Sequence, residues 1–452
     1  MDIVRPHTLS GFMELLPAPQ VQMDKIIQKL GEAYSLYGFT PLDTPVLESA
    51  EVLLAKGGGE TEKQVYSFLK GDRELAMRFD LTVPLAKYVA MNYSKLQFPF
   101  RRYQIGKVYR GERAQRGRFR EFYQADIDII GDGELGILAD AEIPAIIYKA
   151  FSSLGLRRFK ILVNNRKLLS GFFEIIGITE KSGAIMRCID KLEKAGEDFV
   201  RGLLSEEGLP PEKIDEIFGF ISISGSNAER LSELKRRYHG KSDLFDRGFD
   251  ELSVMVSHLD SFGVPKDVFD IDLTIARGLD YYTGTVYETK MIDCPEIGSI
   301  CSGGRYDDLA SFYTNKKLPG VGISIGLTRL FYVLEDMGYL NEDFLTSPAD
   351  VLVIPMSDDM SFAISAASML RDYGMRTQLY TEKKKLGAKL TYAAKLGIPF
   401  ALIIGEDEIA ANTVTVKNLA TGEQQTNSPM FIMRMIKSEL NARNRGFIIK
   451  DK

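Results

Sequence analysis

Between Phe100 and Gly131 the chain reads FRRYQIGKVYRGERAQRGRFREFYQADIDIIG, two strand-like runs on either side of an arginine-rich turn. The first run spans Arg102 to Arg110, Gly111 to Gly117 turns the chain, and the second spans Arg118 to Ile130. Side chains alternate along a strand. Tyr123, Ala125, Ile127 and Ile129 therefore form an apolar face for a core, and Phe122, Gln124, Asp126 and Asp128 form a polar face carrying one ring. The planar fork of arginine suits phosphate and an aromatic ring stacks on a purine. Amides and carboxylates accept hydrogen bonds from an ammonium or an imidazole. A site for an amino acid plus a nucleotide and an ordinary solvated hairpin fit this stretch equally well.

Three further segments carry chemistry. In Leu75 to Pro84, Arg78, Asp80 and Thr82 share one side if the segment is extended, and a carboxylate beside a hydroxyl can receive an ammonium. In Ala276-Arg277-Gly278-Leu279-Asp280-Tyr281-Tyr282-Thr283-Gly284, Arg277 supplies a permanent positive charge, and the two tyrosines face opposite ways if extended. The stretch from Gly320 to Leu330 passes from strand to helix. Leu327, Leu330, Phe331 and Leu334 form its inward stripe. Arg329 stands off that stripe in the first turn, where a helix N-terminus favours phosphate. Ser302-Gly303-Gly304-Arg305-Tyr306 reads as a glycine turn before a helix, its glycines letting backbone approach a ligand.

The elements that hold these segments follow from periodicity. Helical spacing over Val21 to Tyr37 stops at Gly38, a short strand follows from Phe39 to Leu47, and Lys56 to Thr61 is a glycine-rich loop. Gln64 to Phe68 is strand-like, Leu85 to Tyr93 and Ala139 to Leu154 are helices, and Phe159 to Asn165 is a strand. From Arg166 to about Ser261 the pattern turns to charged amphipathic helices, broken at Gly208-Leu209-Pro210-Pro211, whose charges read as solvated faces. A strand returns over Val268 to Ile275. After a link at 341–349, apolar strands at Val351 to Pro355, Thr377 to Tyr380, Ala401 to Ile404 and Val414 to Asn418 alternate with helices. This implies a second α/β domain with a mostly parallel sheet. Lys383, Lys384, Lys385 and Lys389 gather at one strand-helix junction.

With 452 residues the chain is too long for one core. A net charge of -5 leaves nucleic-acid contact to local patches such as Arg113 to Arg120. Three cysteines without metal spacing fit a reducing compartment, and three scattered histidines argue against a histidine-based hydrolase. No apolar run reaches membrane-spanning length.

Tyr109-Arg110-Gly111-Glu112, followed by Arg118 and Phe122, resembles motif 2 of the class II aminoacyl-tRNA synthetases, in its histidyl-tRNA synthetase form. Arg78-Phe79-Asp80-Leu81-Thr82-Val83-Pro84 is similar to that family's Arg-x-Asp-Leu-Thr-x-Pro element. The segments at Arg277 and at Ser302 resemble its two histidine signatures, and Gly320 to Leu330 resembles motif 3. The first helix and strand, with Pro45 and Glu48, resemble motif 1, the family's dimer interface. The C-terminal pattern resembles its anticodon-binding domain. The resemblance covers nearly the whole chain. It implies an α/β multidomain protein: an antiparallel-sheet catalytic domain (1–165 and 262–340) with a helical insertion (166–261), a linker (341–349), an anticodon-binding domain (350–441) and a tail (442–452).

The implied activity is ATP- and Mg²⁺-dependent activation of L-histidine and its transfer to tRNA(His), by a cytoplasmic homodimer. The implied roles are Arg110 and Arg277 at the α-phosphate, with Arg118 and Arg329 at the outer phosphates. Glu112 and Phe122 would take the adenine, and Asp80, Thr82 and Gln124 the substrate amino group. Asp128, Tyr282 and Tyr306 would read the imidazole, with Tyr281 and Gly304 nearby. Arg113, Gln115, Arg116, Lys383, Lys384 and Lys385 would meet tRNA. Asp80 and Asp128 stand where many bacterial relatives carry glutamate, a shorter reach with the same charge. A non-catalytic paralogue that regulates ATP phosphoribosyltransferase is the alternative; it typically lacks the C-terminal domain and erodes the catalytic arginines, which this chain retains.

Overall fold

The computed structural model describes residues 3–55, 60–276, 282–340, 346–443 and 448–449. The chain separates into two compact units, one built on Ile26–Tyr339, the other on Leu340–Lys450 with Leu15–Lys25. The strands of the first unit are β1 (Thr40–Pro41), β2 (Leu47–Ser49), β3 (Ser67–Lys70), β4 (Arg73–Met77), β5 (Phe100–Tyr109), β6 (Glu121–Ile130), β7 (Phe159–Asn165), β8 (Phe269–Ile271), β9 (Thr285–Met291), β10 (Ser299–Tyr306) and β11 (Gly320–Gly326). Eight of them make one sheet in the order β1-β5-β6-β11-β10-β9-β7-β8. It is antiparallel apart from the short edge strands β1 and β8, which run parallel to β5 and β7.

The hairpin expected around the arginine-rich turn is the longest pairing in the sheet, in register from Phe100 against Ile130 to Tyr109 against Glu121. Behind the sheet lies the helix Leu138–Leu154, whose Ile143, Ile146, Ile147, Ala150 and Phe151 are buried. Phe151 meets Phe159 of β7 edge to face, ring centroids 5.1 Å apart. A buried ion pair ties this helix to β10: Arg305 Nη2 lies 2.6 Å from Asp140 Oδ2 and also donates to the Leu135 carbonyl. Among the described residues the insertion is a set of helices from Arg166–Ile175 to Asp243–His258 with an aromatic core in which Phe172 stacks on Phe220. Its first and last helices cross closely. A Cβ on Gly171 would lie 2.2 Å from Phe245 N, and one on Gly248 would lie 2.3 Å from Leu168 N.

The second unit holds β12 (Val351–Pro355), β13 (Thr377–Leu379), β14 (Phe400–Ile404), β15 (Val414–Asn418) and β16 (Gln424–Asn427) in the order β13-β12-β14-β15-β16. Its core is built from Val351, Val353, Phe400, Leu402, Ile432 and Ile436. The sheet is mixed, which corrects the expectation of a mostly parallel one: β12 runs parallel to β13 and β14, while β14, β15 and β16 pair antiparallel. The strand β16 reads Gln-Gln-Thr-Asn and has no apolar face to announce it.

Other departures have local causes. The strand expected over Phe39 to Leu47 splits into β1 and β2, in separate sheets, because Pro41 and Pro45 cannot donate to a ladder. The strand expected at Gln64 to Phe68 starts later and forms a hairpin, β3 with β4, that turns at Gly71. The strand at Val268 to Ile275 shrinks to β8. The glycine turn expected before a helix at Ser302 lies inside β10. Most of the loop at Lys56 to Thr61 falls outside the described residues.

Removing one partner of a buried ion pair strands the other charge. Arg305→Ala is expected to destabilise the first unit by about 3–5 kcal/mol, whereas Lys383→Ala, whose pairing with Asp358 is exposed, is expected to leave the stability of its own unit unchanged. Chemical denaturation of both variants against the parent checks this.

Candidate active site

Directly paired residues on neighbouring strands put their side chains on the same face. The register of β5, β6, β11 and β10 therefore lays out polar rows across the sheet. One row is Arg102, Asp128, Gly322 and Gly304; the next is Gln104, Asp126, Ser324 and Ser302; the third is Gly106, Gln124 and Gly326. The β6 members of all three rows line a cleft of about 840 Å³.

Asp128 is held on both oxygens. Arg102 Nη2 lies 2.6 Å from Oδ2, and the Tyr306 hydroxyl donates to Oδ1 at 2.6 Å. Arg102 is 0% exposed and Asp128 2%. Gly322 leaves the space this needs, since a Cβ there would sit 2.3 Å from Asp128 Oδ1. Arg102 is absent from the sequence-derived site, although counting across the turn places it opposite Asp128. Burial pushes the Asp128 carboxyl up to about 6, with Arg102 and then Tyr306 pulling it back. It pushes Asp126 up to about 7 against the pull of Arg102 and of a hydrogen bond with Ser324. Asp80 is raised by burial too, opposed by the Val83 N–H and by Arg110.

Asp80 and Thr82 reach the cleft by a different route from the extended segment expected. The strand β4 ends at Met77 and, after a short link over 78–81 that holds Asp80, the helix Thr82–Asn92 begins. Asp80 Oδ1 accepts the Val83 N–H at 2.9 Å, and Pro84 sits in the first turn, where no N–H is needed. Arg78 turns away, donating from Nε to the Lys107 carbonyl at 2.7 Å and pairing with Asp43.

The opposite end of the cleft is cationic. Arg110 leaves β5 with its guanidinium 4.3 Å from the Phe79 ring centroid and 5.1 Å from that of Phe122. Arg118 Nη1 lies 3.6 Å from Glu112 Oε2. Arg329, in the first turn of the helix Leu327–Asp336, donates from Nε to the Gly117 carbonyl and from Nη1 to the Ser299 carbonyl, each at 3.0 Å. The Thr328 hydroxyl accepts the Tyr123 N–H at 2.8 Å and pins the helix start to β6.

Of the residues expected in the site, the cleft brings together Asp80, Thr82, Arg110, Glu112, Arg118, Phe122, Gln124, Asp128, Tyr282, Tyr306 and Arg329. Arg277 and Tyr281 lie outside the described residues. Gly304 does not line the cleft; a Cβ there would lie 2.7 Å from the Thr285 carbonyl oxygen and 3.0 Å from the Tyr282 ring, so its bareness seats Tyr282. Arg113, Gln115 and Arg116 do not line it either, and Arg116 pairs with Asp336. In the second unit Lys384 and Lys385 are exposed, whereas Lys389 is buried with Nζ donating to the Pro355 carbonyl at 2.7 Å and so leaves the cluster expected there. Asp126, which parity puts on the polar face of β6 but to which no role was given, also lines the cleft; sequence reading missed Ser324 and Glu288, and with them Arg187, Asp190 and Lys191 of the insertion, whose helical pattern reads as solvated surface. Cys301 also lines the cleft, but burial holds its thiol far above the ordinary range, which leaves it inert.

Residues 11–330 match the family model described as histidyl-tRNA synthetase, and residues 350–439 match the anticodon binding domain. A histidine–tRNA ligase of Clostridium tetani is 54% identical over 97% of this chain and 99% of its own length. The crystal structure of histidyl-tRNA synthetase from Nostoc sp. PCC 7120 superposes with a TM-score of 0.88 at 40% identity, covering 97% of this chain and all of that one. A Bacillus halodurans structure titled as an ATP phosphoribosyltransferase regulatory subunit/histidyl-tRNA synthetase, 21% identical with a TM-score of 0.73 over 89% of this chain and 99% of its own, shares the fold. With an acidic pocket and an arginine-lined end in one cleft on an antiparallel sheet, and with both family models matched in order along its length, the chain belongs to the histidyl-tRNA synthetase family.

Proposed function

We propose that the chain is a histidine–tRNA ligase, which joins L-histidine to ATP as histidyl-adenylate and passes the acyl group to the 3′ end of tRNA(His). The observation that carries this reading is Asp128, buried between Arg102 and Tyr306 in the cleft that also holds Arg110, Arg118 and Arg329. A carboxylate fixed in this way offers an imidazole N–H a desolvated acceptor. A substrate without that N–H leaves the acceptor unpaired, and the penalty discriminates against it.

In the first step a histidine carboxylate oxygen attacks the α-phosphorus of ATP and pyrophosphate leaves. Such a reaction is governed by positioning and by neutralising charge. Arg110 and Arg277 would hold the α-phosphate, and Arg118 and Arg329 the outer phosphates. Glu112 and Phe122 would receive the adenine. Asp80, Thr82 and Gln124 would hold the amino group, and Tyr282 would close on the ring. Among the described residues no group of three or more His, Cys, Asp or Glu side chains is arranged to hold a metal ion, so Mg²⁺ would enter with the phosphates of the nucleotide. Arg113, Gln115 and Arg116 on the hairpin turn, and Lys383, Lys384 and Lys385 in the second unit, are placed toward tRNA on this reading. The working form would be a cytoplasmic homodimer. Against the regulatory alternative stand the retained arginines of the cleft and the anticodon-binding domain.

Three outcomes are expected. Amino-acid-dependent exchange between ATP and pyrophosphate responds to histidine alone, and Arg329→Ala lowers its kcat by about 100-fold; exchange driven equally by other amino acids would overturn the assignment. Lys383→Glu combined with Lys384→Glu weakens tRNA charging and leaves exchange intact, whereas loss of both activities would refute the assigned role of the lysines. The third concerns pH. The raised carboxyls hold protons in the folded empty site between about pH 4 and about pH 7 that the unfolded chain releases, so their contribution to stability falls as pH rises through that window. On this reading the imidazole N–H of the bound substrate repays the ionised Asp128 carboxylate. Saturating histidine therefore raises Tm more at about pH 8 than at about pH 5.5, and a shift that does not vary with pH would contradict the reading.

A further inference from the structure

Arg102 lies on β5 with no exposed surface and stands behind the cleft without lining it. One nitrogen of its guanidinium makes two contacts: Nη2 stands 2.6 Å from Asp128 Oδ2 and donates to the Leu81 carbonyl at 3.0 Å. Asp128 is the acceptor offered to the substrate ring. Leu81 sits between Asp80 and Thr82, the residues placed toward the amino group, and is the N-cap of the helix Thr82–Asn92. A single buried atom therefore ties together the two ends of the proposed histidine pocket. The arrangement costs stability, because Nε and Nη1 of the same guanidinium are buried with no hydrogen-bond partner among the described residues. Where packing alone is at stake, apolar side chains of similar volume replace a buried ion pair with little or no loss.

We infer that Arg102 is a positioning residue that sets specificity at both ends of the pocket: it holds Asp128 as a charged acceptor for the ring N–H and, through the Leu81 carbonyl, holds the turn that presents Asp80 and Thr82 to the amino group. Without it the Asp128 carboxyl takes up a proton, as buried acids without a counter-charge do. A protonated carboxyl offers the ring a donor as readily as an acceptor. The turn at Leu81 loses its tether at the same time. This rests on the histidine-activating reading of the cleft.

The test uses the full-length protein and histidine-dependent pyrophosphate exchange, with two competing analogues. 2-Thiazolylalanine keeps the amino acid and a five-membered ring but has no ring N–H; imidazolepropionate keeps the ring and lacks the amino group. Two ratios are read, the Ki of each analogue over the KM for histidine. A merely structural role raises the KM and both Ki values together and leaves the ratios where they are. In Arg102→Met both ratios fall about tenfold with the ATP KM little changed, whereas Asp128→Ala lowers the thiazole ratio alone. The double variant Arg102→Met/Asp128→Ala strands neither partner of the pair and carries the test where Arg102→Met does not fold. It matches Asp128→Ala in the thiazole ratio, because the two groups act in series, and still lowers the imidazolepropionate ratio about tenfold. Because one nitrogen makes both contacts, Arg102→Lys restores both ratios to within about threefold of the parent. Parent ratios in Arg102→Met, a double variant that falls well below Asp128→Ala in the thiazole ratio or keeps the parent's imidazolepropionate ratio, or an Arg102→Lys as impaired as Arg102→Met would each overturn the role of Arg102. A thiazole ratio unmoved by Asp128→Ala, or no histidine-dependent exchange in the parent protein, would instead overturn the reading of the cleft on which that role rests.

Discussion

A buried carboxylate survives only where its charge is met, and the pairing of Asp128 with Arg102 is the constraint around which this catalytic sheet is arranged. An ion pair removed from water is costly unless geometry and further hydrogen bonds satisfy it. Here the strand register supplies the geometry, the Tyr306 hydroxyl adds a hydrogen bond to the carboxylate and Leu81 accepts from Arg102 Nη2, while Arg102 Nε and Nη1 are buried without a partner among the described residues. The register sets Arg102 opposite Asp128 on β5 and the bare Gly322 opposite it on β11, and it brings the Tyr306 hydroxyl over from β10. A slip of one residue between β5 and β6 would turn Arg102 to the other face and leave the carboxylate stranded. The pocket and the pairing of the sheet are therefore one feature.

The same register explains why the cleft has two electrical ends. Carboxylates sit in the interior of β6, where the rows are flanked by glycine and serine. Arginines come from places where strands stop: Arg110 just past β5, Arg118 in the turn, Arg329 at a helix start. Loop and helix-start cations can reach a polyanion while remaining only partly buried themselves. The buried acids meet their charge through Arg102. On the proposed reading, the amino acid meets the acids in the interior of the sheet and the nucleotide meets the arginines at its rim.

Much of this was legible in the chain. Parity along Phe122 to Asp128 separates core face from cleft face, and the stripe of Leu327, Leu330, Phe331 and Leu334 points Arg329 away from the core. The strand-helix alternation of the second unit is accurate to a residue or two over most of its length. What eluded sequence reading has physical reasons. Asp80 and Thr82 lie in the cleft although the segment between them is not extended, because a helix begins where alternation was assumed. The strand β16 is polar throughout and carries no periodic signal. Lys389 belongs to a charged run by sequence, yet its stem is buried and its ammonium is committed to a backbone carbonyl.

Sequence by itself determined which side chains share a face of β6, which residues could carry charge to a phosphate, and which family the motifs resemble. These are properties of local periodicity and of residue chemistry. Only the tertiary structure decided which residues meet across strands. The Arg102 to Asp128 pair, the hydrogen bond from Gln124 to Ser324, and the arrival of Arg187 and Lys191 from the insertion all depend on register and packing between segments far apart in the chain. Those are chosen by the burial of whole faces, and no single segment encodes them.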